Sequence, residues 1–477
     1  MTSLPLIAAL QTCVGARHVL VEPTDMAPFM RDWRKRYVGQ ALAVVQPATT
    51  AEVAAVMRLC HAHRVAVVPQ GGNTSLVGGA VPDTSGQQVL LSLRRLQHIR
   101  AIDRANLTMT VEAGCILQDV QIAAQDQGLL FPLSLASEGS CTLGGNLASN
   151  AGGTQVLRYG NARDLCLGLE VVTPSGEIWH GLSGLRKDNT GYALQQLYIG
   201  SEGTLGVITA AVLKLFPQPR TVMTALASCG DIKQLVTLLG LAQAQVGAAL
   251  TGFEVMGALA LDLVRKHCPQ LPQPLPPSPW MVLIELSDAD NDVHAHQRLE
   301  DLLGQALAEG VIADAAVAMS GAQSQAMWHL REAIPLAQAL EGLNIKHDIA
   351  VPISAIPAFV AHTDAALHQL LSGVRLVTFG HLGDGNLHYN VQVPEGGDAA
   401  SFLQAHEAAV NAVVYDAVQR FGGSISAEHG IGQLKREELA QRADPVGLGL
   451  MRTLKQALDP DNRMNPGRVI AASPGVA

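Results

Sequence analysis

Three loops rich in glycine constrain this chain more than any other feature: PQGGNTSLVGG (69–79), EGSCTLGGNLASNAGG (138–153) and IGSEGTLG (199–206). Glycine has no side chain and accepts positive φ, so repeated Gly-Gly-Asn steps let backbone amides close around a pyrophosphate. A single loop of this kind is read first as a plain turn. Three of them in one stretch, the first two sharing Gly-Gly-Asn, favour a nucleotide-like cofactor. Neither GxGxxG nor GxxxxGKS/T occurs, which argues against a Rossmann dehydrogenase and against a P-loop.

Around these loops the periodicity predicts alternating strand and helix. LAVVQ reads as a strand, and Thr49 with Glu52 as a capping box. A helix with apolar positions at Val53, Val56 and Leu59 follows, then the strand VAVVP. VLLSL (89–93) and LTMTVE (107–112) continue the strands, and ILQDVQIAAQDQG reads as a helix closed by Gly128. From Phe131 to Gly206 long helical patterns are missing. LFPQPR (215–220) is turn-rich punctuation, after which the strand TVMTALA and longer helices at 230–249, 292–309 and 354–371 change the character. CPQLPQPLPPSPW, with six prolines, is a stiff extended connector. Helical character returns from about residue 399. The chain of 477 residues suits roughly two to four domains, and we divide it into 1–219, 220–415 and 416–477.

Composition narrows the function classes. Hydrophobic residues make up 48% and charged residues 15%, as in ordinary globular proteins with large cores. A net charge of −9 with no basic block argues against nucleic-acid partners and leaves a small molecule as the expected ligand. The seven cysteines contain no CxxC pair, so neither a disulfide framework nor a thiolate zinc site is indicated, and a cytoplasmic location is expected. The uncharged stretch from Gln234 to Phe253 is broken by Gln, Gly and Thr and reads as buried helix, so no membrane span is expected.

The stretch HLGDGNLHYN, from His381 to Asn390, lies between alternating apolar runs and predicts strand, turn, strand. That accounts for its glycines, and for Asp384 and Asn386 as turn formers, but not for its two histidines. Most of the sixteen histidines must be ordinary surface or hydrogen-bonded residues. Imidazoles flanking a turn become metal ligands if their strands converge and a third donor arrives. SAEHGIG offers Glu428 for that purpose, beside His429. Arg331 falls on a predicted helix next to Glu332, where an arginine is usually a solvated ion pair, and Lys346 on the strand that follows. Lys435 and Arg436 read as the solvated face of a helix start, and RKDNTGY (186–192) as a surface loop.

PQGGNTSLVGG, GGNLASNAGG, RYGN (158–161), LRKDNTGYALQQLYIGSEGTLGVIT, HLGDGNLH, AEHGIGQLKRE and the terminal NPGRV together carry a resemblance over nearly the whole chain from about residue 40. The sequence resembles the FAD-linked 2-hydroxy acid oxidoreductases of the vanillyl-alcohol oxidase fold group. Within that group it is most similar to D-2-hydroxyglutarate dehydrogenases, with D-lactate dehydrogenases and the glycolate oxidase flavoprotein subunit as relatives. The resemblance implies an α+β chain: a bipartite PCMH-type FAD-binding domain (1–219), a substrate or cap domain (220–415), and a C-terminal segment (416–477) that returns to the flavin. It assigns Pro69, Gln70, Gly71, Gly72, Asn73, Thr74 and Gly78 to the pyrophosphate loop. Gly139, Ser140, Gly144, Gly145, Asn146 and Asn150 line more of the cofactor, Gly203 and Ile208 lie near its adenine end, and Asn465 arrives from the tail. The first loop has no histidine or cysteine to tether the flavin, although Cys141 stands in the second, so non-covalent FAD is expected.

By the same resemblance His381, His388 and Glu428 match ligands of a divalent metal, expected as Zn²⁺. His429 matches the catalytic base, and Arg331, Lys346, Asn390 and His429 match substrate contacts. The implied reaction oxidises a D-2-hydroxy acid, D-2-hydroxyglutarate foremost, with hydride passing to flavin N5. D-Lactate, glycolate and D-malate are the alternatives, because Pro335 stands where hydroxyglutarate members carry threonine. A flavin-free zinc protein and a non-catalytic subunit of a larger oxidase are readings from other classes. An electron-transfer flavoprotein or a quinone-linked carrier is the expected acceptor, and a homodimer the expected assembly.

Overall fold

The computed structural model describes residues 3–471, which form two compact units. The first comprises residues 3–152, 160–218 and 428–471. The second comprises Gly153–Tyr159 and Pro219–Ala427.

In the first unit, strands Ala43–Val45, Val89–Ser92 and Val67–Gln70 run parallel, with Val19–Leu20 antiparallel at one edge. Parallel strands need a crossover, and helix Thr50–Ala62 supplies the one from Ala43–Val45 to Val67–Gln70, which flank Val89–Ser92. Its cap is as the sequence predicts on one side: Thr49 Oγ1 accepts the Glu52 N–H at 3.1 Å. The return bond differs, since Glu52 Oε2 accepts from the Ala48 N–H at 2.7 Å, one residue earlier than a capping box requires. A five-stranded antiparallel sheet follows in the order 99–103, 108–112, 207–214, 166–172, 178–181. Helix Leu117–Gln125 runs out before Gly128, which takes φ +68°. The end of the chain returns to this unit. The Val67 N–H donates to the Arg463 carbonyl, and the Asn465 N–H donates to the Val67 carbonyl, each at 2.8 Å.

The second unit is built on one antiparallel sheet. Its order is Asp314–Val317, Thr221–Cys229, Trp280–Asp288, Leu250–Gly257, Arg375–His381, Asn386–Gln392 and Asn344–Ile345, with Asp348–Ala350 also on the 386–392 strand. Helices cover both faces, which is why all eight residues of Leu250–Gly257 are buried rather than every second one. On one face Phe253, Val255, Tyr389 and Val391 join a large core with Leu238, Leu302, Phe359 and Val414 of four helices. Each such fully buried side chain contributes ~1.5–3 kcal/mol. On the other face Leu226, Met256, Leu283, Val377 and Phe379 pack with Leu263, Leu330 and Ala337. The predicted helix 230–249 is Ile232–Val246, opened by a reciprocal capping box of Asp231 and Gln234 and ended where Gly247 turns to φ +49°. Among the described residues no helix is long and apolar enough to cross a membrane.

Candidate active site

The glycine loops meet one another inside the first unit. A Cβ on Gly71 would lie 2.2 Å from Thr142 Oγ1, and one on Gly72 2.2 Å from the Ser140 carbonyl oxygen, so the first loop reaches the second only because both residues are glycine. Gly78 (φ +69°) lies against the Tyr37 ring, and Gly203 (φ +69°) against Pro69. Other assigned positions have plainer duties. Gly144 lets its helix, Leu143–Ser149, touch Ala113, and Gly145 follows in the same turn. Asn150 ends that helix in the left-handed region and accepts the Arg163 N–H at 3.0 Å. Ile208 is buried in the sheet, Gly139 and Ser140 stand in a turn, and Thr74 is half-buried after Asn73, whose side chain donates to the Arg31 carbonyl at 2.8 Å.

Of the buried polar atoms of this unit that have no hydrogen-bond partner among the described residues, four lie on the two facing loops and the returning tail: Gln70 Oε1, Thr142 Oγ1, Asn146 Nδ2 and Asn465 Oδ1. Buried polar atoms are normally satisfied, so this set, spread over both loops and the tail, fits a polar cofactor lying among them. The other ends of two of these side chains are fixed. Gln70 Nε2 donates to the Phe29 and Ala80 carbonyls at 3.0 and 2.8 Å, and Asn465 Nδ2 donates to the Gly79 and Glu202 carbonyls at 2.9 Å each. Cys141 is buried and its thiol is pushed up by that burial, which makes it a poor tether for a flavin.

Glu202, which had no assigned role, clamps the segment that carries His429. Its two carboxylate oxygens accept the Ile431 and Gly432 N–H groups at 2.7 and 2.8 Å. Burial raises its carboxyl above the usual range against the lowering pull of those amides and of Lys435. Lys435 corrects an expectation: it is 3% exposed rather than solvated, and helix Arg436–Arg442 begins one residue later. Residues 186–192 are exposed, as expected of a surface loop.

In the second unit the strand register does the positioning. Side chains directly opposite one another on adjacent strands share a face. Glu254 pairs with His381, Phe379 with His388, Val377 with Asn390, and Asp348 with His388. The register of Asn344 with Gln392 and of Asp348 with His388 continues to set Lys346 opposite Asn390. Five of the expected residues therefore come to one face of one sheet: His381, His388 and Asn390 on strands, Lys346 in the gap between strands Asn344–Ile345 and Asp348–Ala350, and Arg331 on the helix Gly321–Glu332 that covers them. The predicted hairpin is present, turning through Leu382–Asp384 and Gly385 at φ +85°. Asp384 accepts the Asn386 N–H at 3.1 Å as a turn former. Asn386 instead donates to Asp348 Oδ1 and the Ile349 carbonyl, at 3.0 and 2.9 Å.

Electrostatics on this face centre on Glu254, which is fully buried. Its Oε1 lies 2.6 Å from His381 Nδ1 and its Oε2 2.8 Å from Arg331 Nε. Burial opposes its charge, yet His381 and Arg331 hold the carboxyl below the usual range. Arg331 is therefore a buried, paired cation and not the solvated one its neighbour Glu332 suggested. Its guanidinium carbon sits 4.9 Å from the Phe379 ring centre, the Phe379 ring 4.8 Å from that of His388, and the two imidazoles 5.7 Å apart. His388 Nδ1 is 3.9 Å from Asp348 Oδ1. Burial pushes the Asp384 carboxyl up to about 6 despite the pull of His381. Two imidazoles facing each other, each with a carboxylate behind one ring nitrogen, are a donor set suited to a divalent cation. Glu428 and His429 are half-buried and follow Ala427, whose N–H donates to the Asp348 carbonyl at 3.3 Å. Pro335 is exposed in the first turn of helix Ile334–Glu341, where a missing N–H costs nothing.

Glu254 and Asp348 were missed by sequence reasoning. The signal for Glu254 was present: a lone carboxylate inside the apolar strand LTGFEVMG has to find a partner.

Comparison with known proteins agrees with this construction. Residues 41–181 match the FAD binding domain family, and residues 218–469 match the C-terminal domain of the FAD linked oxidases. The chain is 40% identical over 469 residues to D-2-hydroxyglutarate dehydrogenase of Xanthomonas citri pv. viticola, covering 98% of this chain and 97% of the relative. It is 38% identical over 464 residues to the mitochondrial D-2-hydroxyglutarate dehydrogenase of Bos taurus, covering 97% and 83%. Among solved structures, p-cresol methylhydroxylase shares the fold with a TM-score of 0.77 at 17% identity, over 98% of this chain and 97% of that one. An alkyldihydroxyacetonephosphate synthase does so at 0.72 and 18%, over 97% and 84%. The expected α+β architecture with a PCMH-type FAD-binding domain is thereby borne out. An FAD-linked oxidoreductase by both of its domains, the chain belongs to the D-2-hydroxyglutarate dehydrogenase family.

Proposed function

We propose that this enzyme oxidises D-2-hydroxyglutarate to 2-oxoglutarate with non-covalent FAD, using a divalent cation, Zn²⁺ foremost, held by His381, His388 and Glu428. The observation that carries the reading is the sheet face on which Arg331 and His381 share the Glu254 carboxylate, beside His388, Lys346 and Asn390. Support for the cation comes from the donor chemistry of the two imidazoles, 5.7 Å apart on one sheet face, to which the family resemblance adds Glu428 as the third donor. FAD, when bound, accepts the Cα hydride at N5, and the cation lowers the pKa of the substrate hydroxyl far enough for a neutral imidazole to serve as base.

His429 takes the hydroxyl proton, the general-base role that imidazole most often serves. Arg331 grips a substrate carboxylate by paired N–H groups, and Lys346 adds a second positive charge for a dianionic acid. Asn390 presents its amide beside them. The backbone of the two facing loops, with Gln70, Thr142, Asn146 and Asn465, receives the cofactor. Electrons leave through an electron-transfer flavoprotein or a quinone-linked carrier. The enzyme works as a homodimer in a reducing compartment, which suits its seven unpaired cysteines.

Pro335 favours a second reading, because it offers no hydroxyl to a distal carboxylate: a 2-hydroxy acid without one, D-lactate or glycolate. A turnover panel separates the two. Under the first reading D-2-hydroxyglutarate has the highest kcat/KM, and a value no better than that of D-lactate overturns it.

A further inference from the structure

We infer that Glu254 is a positioning residue that joins the substrate-gripping cation to the metal site: one buried carboxylate fixes both the Arg331 guanidinium and the His381 imidazole. The inference rests on the proposed roles of Arg331 and His381 and adds to them a residue with no assigned role.

The sheet register brings Glu254 opposite His381, on a face otherwise lined by Met256, Leu283, Val377 and Phe379. A carboxylate in such surroundings stays ionised only if both oxygens are well bonded, and both are, at 2.6 and 2.8 Å. Ionised, it is an acceptor only, so His381 must donate from Nδ1. With its Nδ1 edge turned to the carboxylate, the imidazole would meet a metal through Nε2. The same bond pattern orients the arginine. Glu254 takes only the Nε–H and Phe379 underlies the guanidinium, while the two terminal amino groups make no hydrogen bond among the described residues. A planar fork held by its Nε edge and one face presents those amino groups as a pair, the arrangement that grips a carboxylate. Glu285 cannot substitute for Glu254, because its own oxygens are taken by Trp328 Nε1 at 2.8 Å and Thr251 Oγ1 at 3.2 Å.

A plain structural ion pair makes a different prediction, which Glu254→Gln separates. The amide keeps the shape but offers one accepting oxygen to two donors, so either His381 or Arg331 loses its orientation. With full-length FAD-loaded enzyme, Zn²⁺ affinity measured by competition with a chromophoric chelator falls about 10–100-fold, the usual effect of removing a carboxylate behind a ligating histidine. KM for D-2-hydroxyglutarate rises at least about tenfold, the cost of losing one charge-assisted bond of ~1.5–3 kcal/mol, and FAD content is unchanged. Glu254→Asp, which keeps the charge on a shorter stem, recovers part of the Zn²⁺ affinity and serves where the amide variant does not fold. A lower melting temperature with unchanged Zn²⁺ affinity and KM in either folded variant overturns the inference and leaves the proposed function intact. A wild type that takes up no Zn²⁺ overturns the metal reading and this inference with it.

Discussion

Asn390 and Gln338 are joined side chain to side chain: Asn390 Nδ2 donates to Gln338 Oε1 at 2.9 Å, and Asn390 Oδ1 accepts the His347 N–H at 3.1 Å. An amide bonded at both ends is rigid, which is what a residue beside a substrate needs. Gln338 is fully buried, and its Nε2 has no partner among the described residues. Gln338→Leu removes the acceptor from Asn390 Nδ2, and a buried donor left unmade costs about 1–3 kcal/mol. Urea unfolding should lose that much, and KM for the acid should rise with FAD content unchanged. No change in either quantity would mean that the pair is ornamental.

Glu341 supplies a pH dependence. Burial raises its carboxyl, but Lys266, His267 and Arg375 bond to it and bring it down to about 2 from its usual 4.5. A depressed folded-state value stabilises the fold above 4.5, and that contribution is lost as the pH falls from 4.5 towards about 2. Melting temperatures through this window should fall less steeply for Glu341→Gln than for the wild type. Parallel acid limbs would contradict the assignment.

Gly72 tests the facing loops. A Cβ there would lie 2.2 Å from the Ser140 carbonyl oxygen and 2.9 Å from Cys141 Cα, both backbone atoms that cannot step aside. Gly72→Ala should lower the flavin released per chain on denaturation. Gly240→Ala, inside helix Ile232–Val246 with nothing within 4 Å, should instead add ~0.5–1 kcal/mol and leave flavin content alone. Equal flavin content in the two variants would show that the loops do not cradle it.

Metal removal tests the imidazole pair. Dialysis against a strong chelator should abolish turnover while FAD stays bound, and added Zn²⁺ should restore it. His388→Ala should hold less metal than the wild type by elemental analysis. Full activity after dialysis would remove the cation from the reaction.

What was legible in the chain divides along physical lines. The hairpin of His381 and His388 could be read because alternation and an Asp-Gly turn are local signals. Arg331 was placed on its helix for the same reason, but its burial could not be read locally: its partner Glu254 lies 77 residues away and becomes a neighbour only through sheet register. Lys435 was read as solvated from its place beside a helix start, whereas Lys435 is buried in the segment that Glu202 clamps from more than two hundred residues earlier. Glycine loops announced a cofactor, but not that Gly144 and Gly203 also let the backbone close on Ala113 and Pro69. Composition marks such residues, and only tertiary contact tells which of them meet a ligand.

Anaerobic mixing of the purified holoenzyme with D-2-hydroxyglutarate, followed by flavin absorbance, tests the central claim most directly. The account predicts stoichiometric bleaching with the D acid and none with the L acid, and none in His429→Asn, which should still carry its FAD. A wild-type flavin that stays oxidised in the presence of the D acid would contradict it.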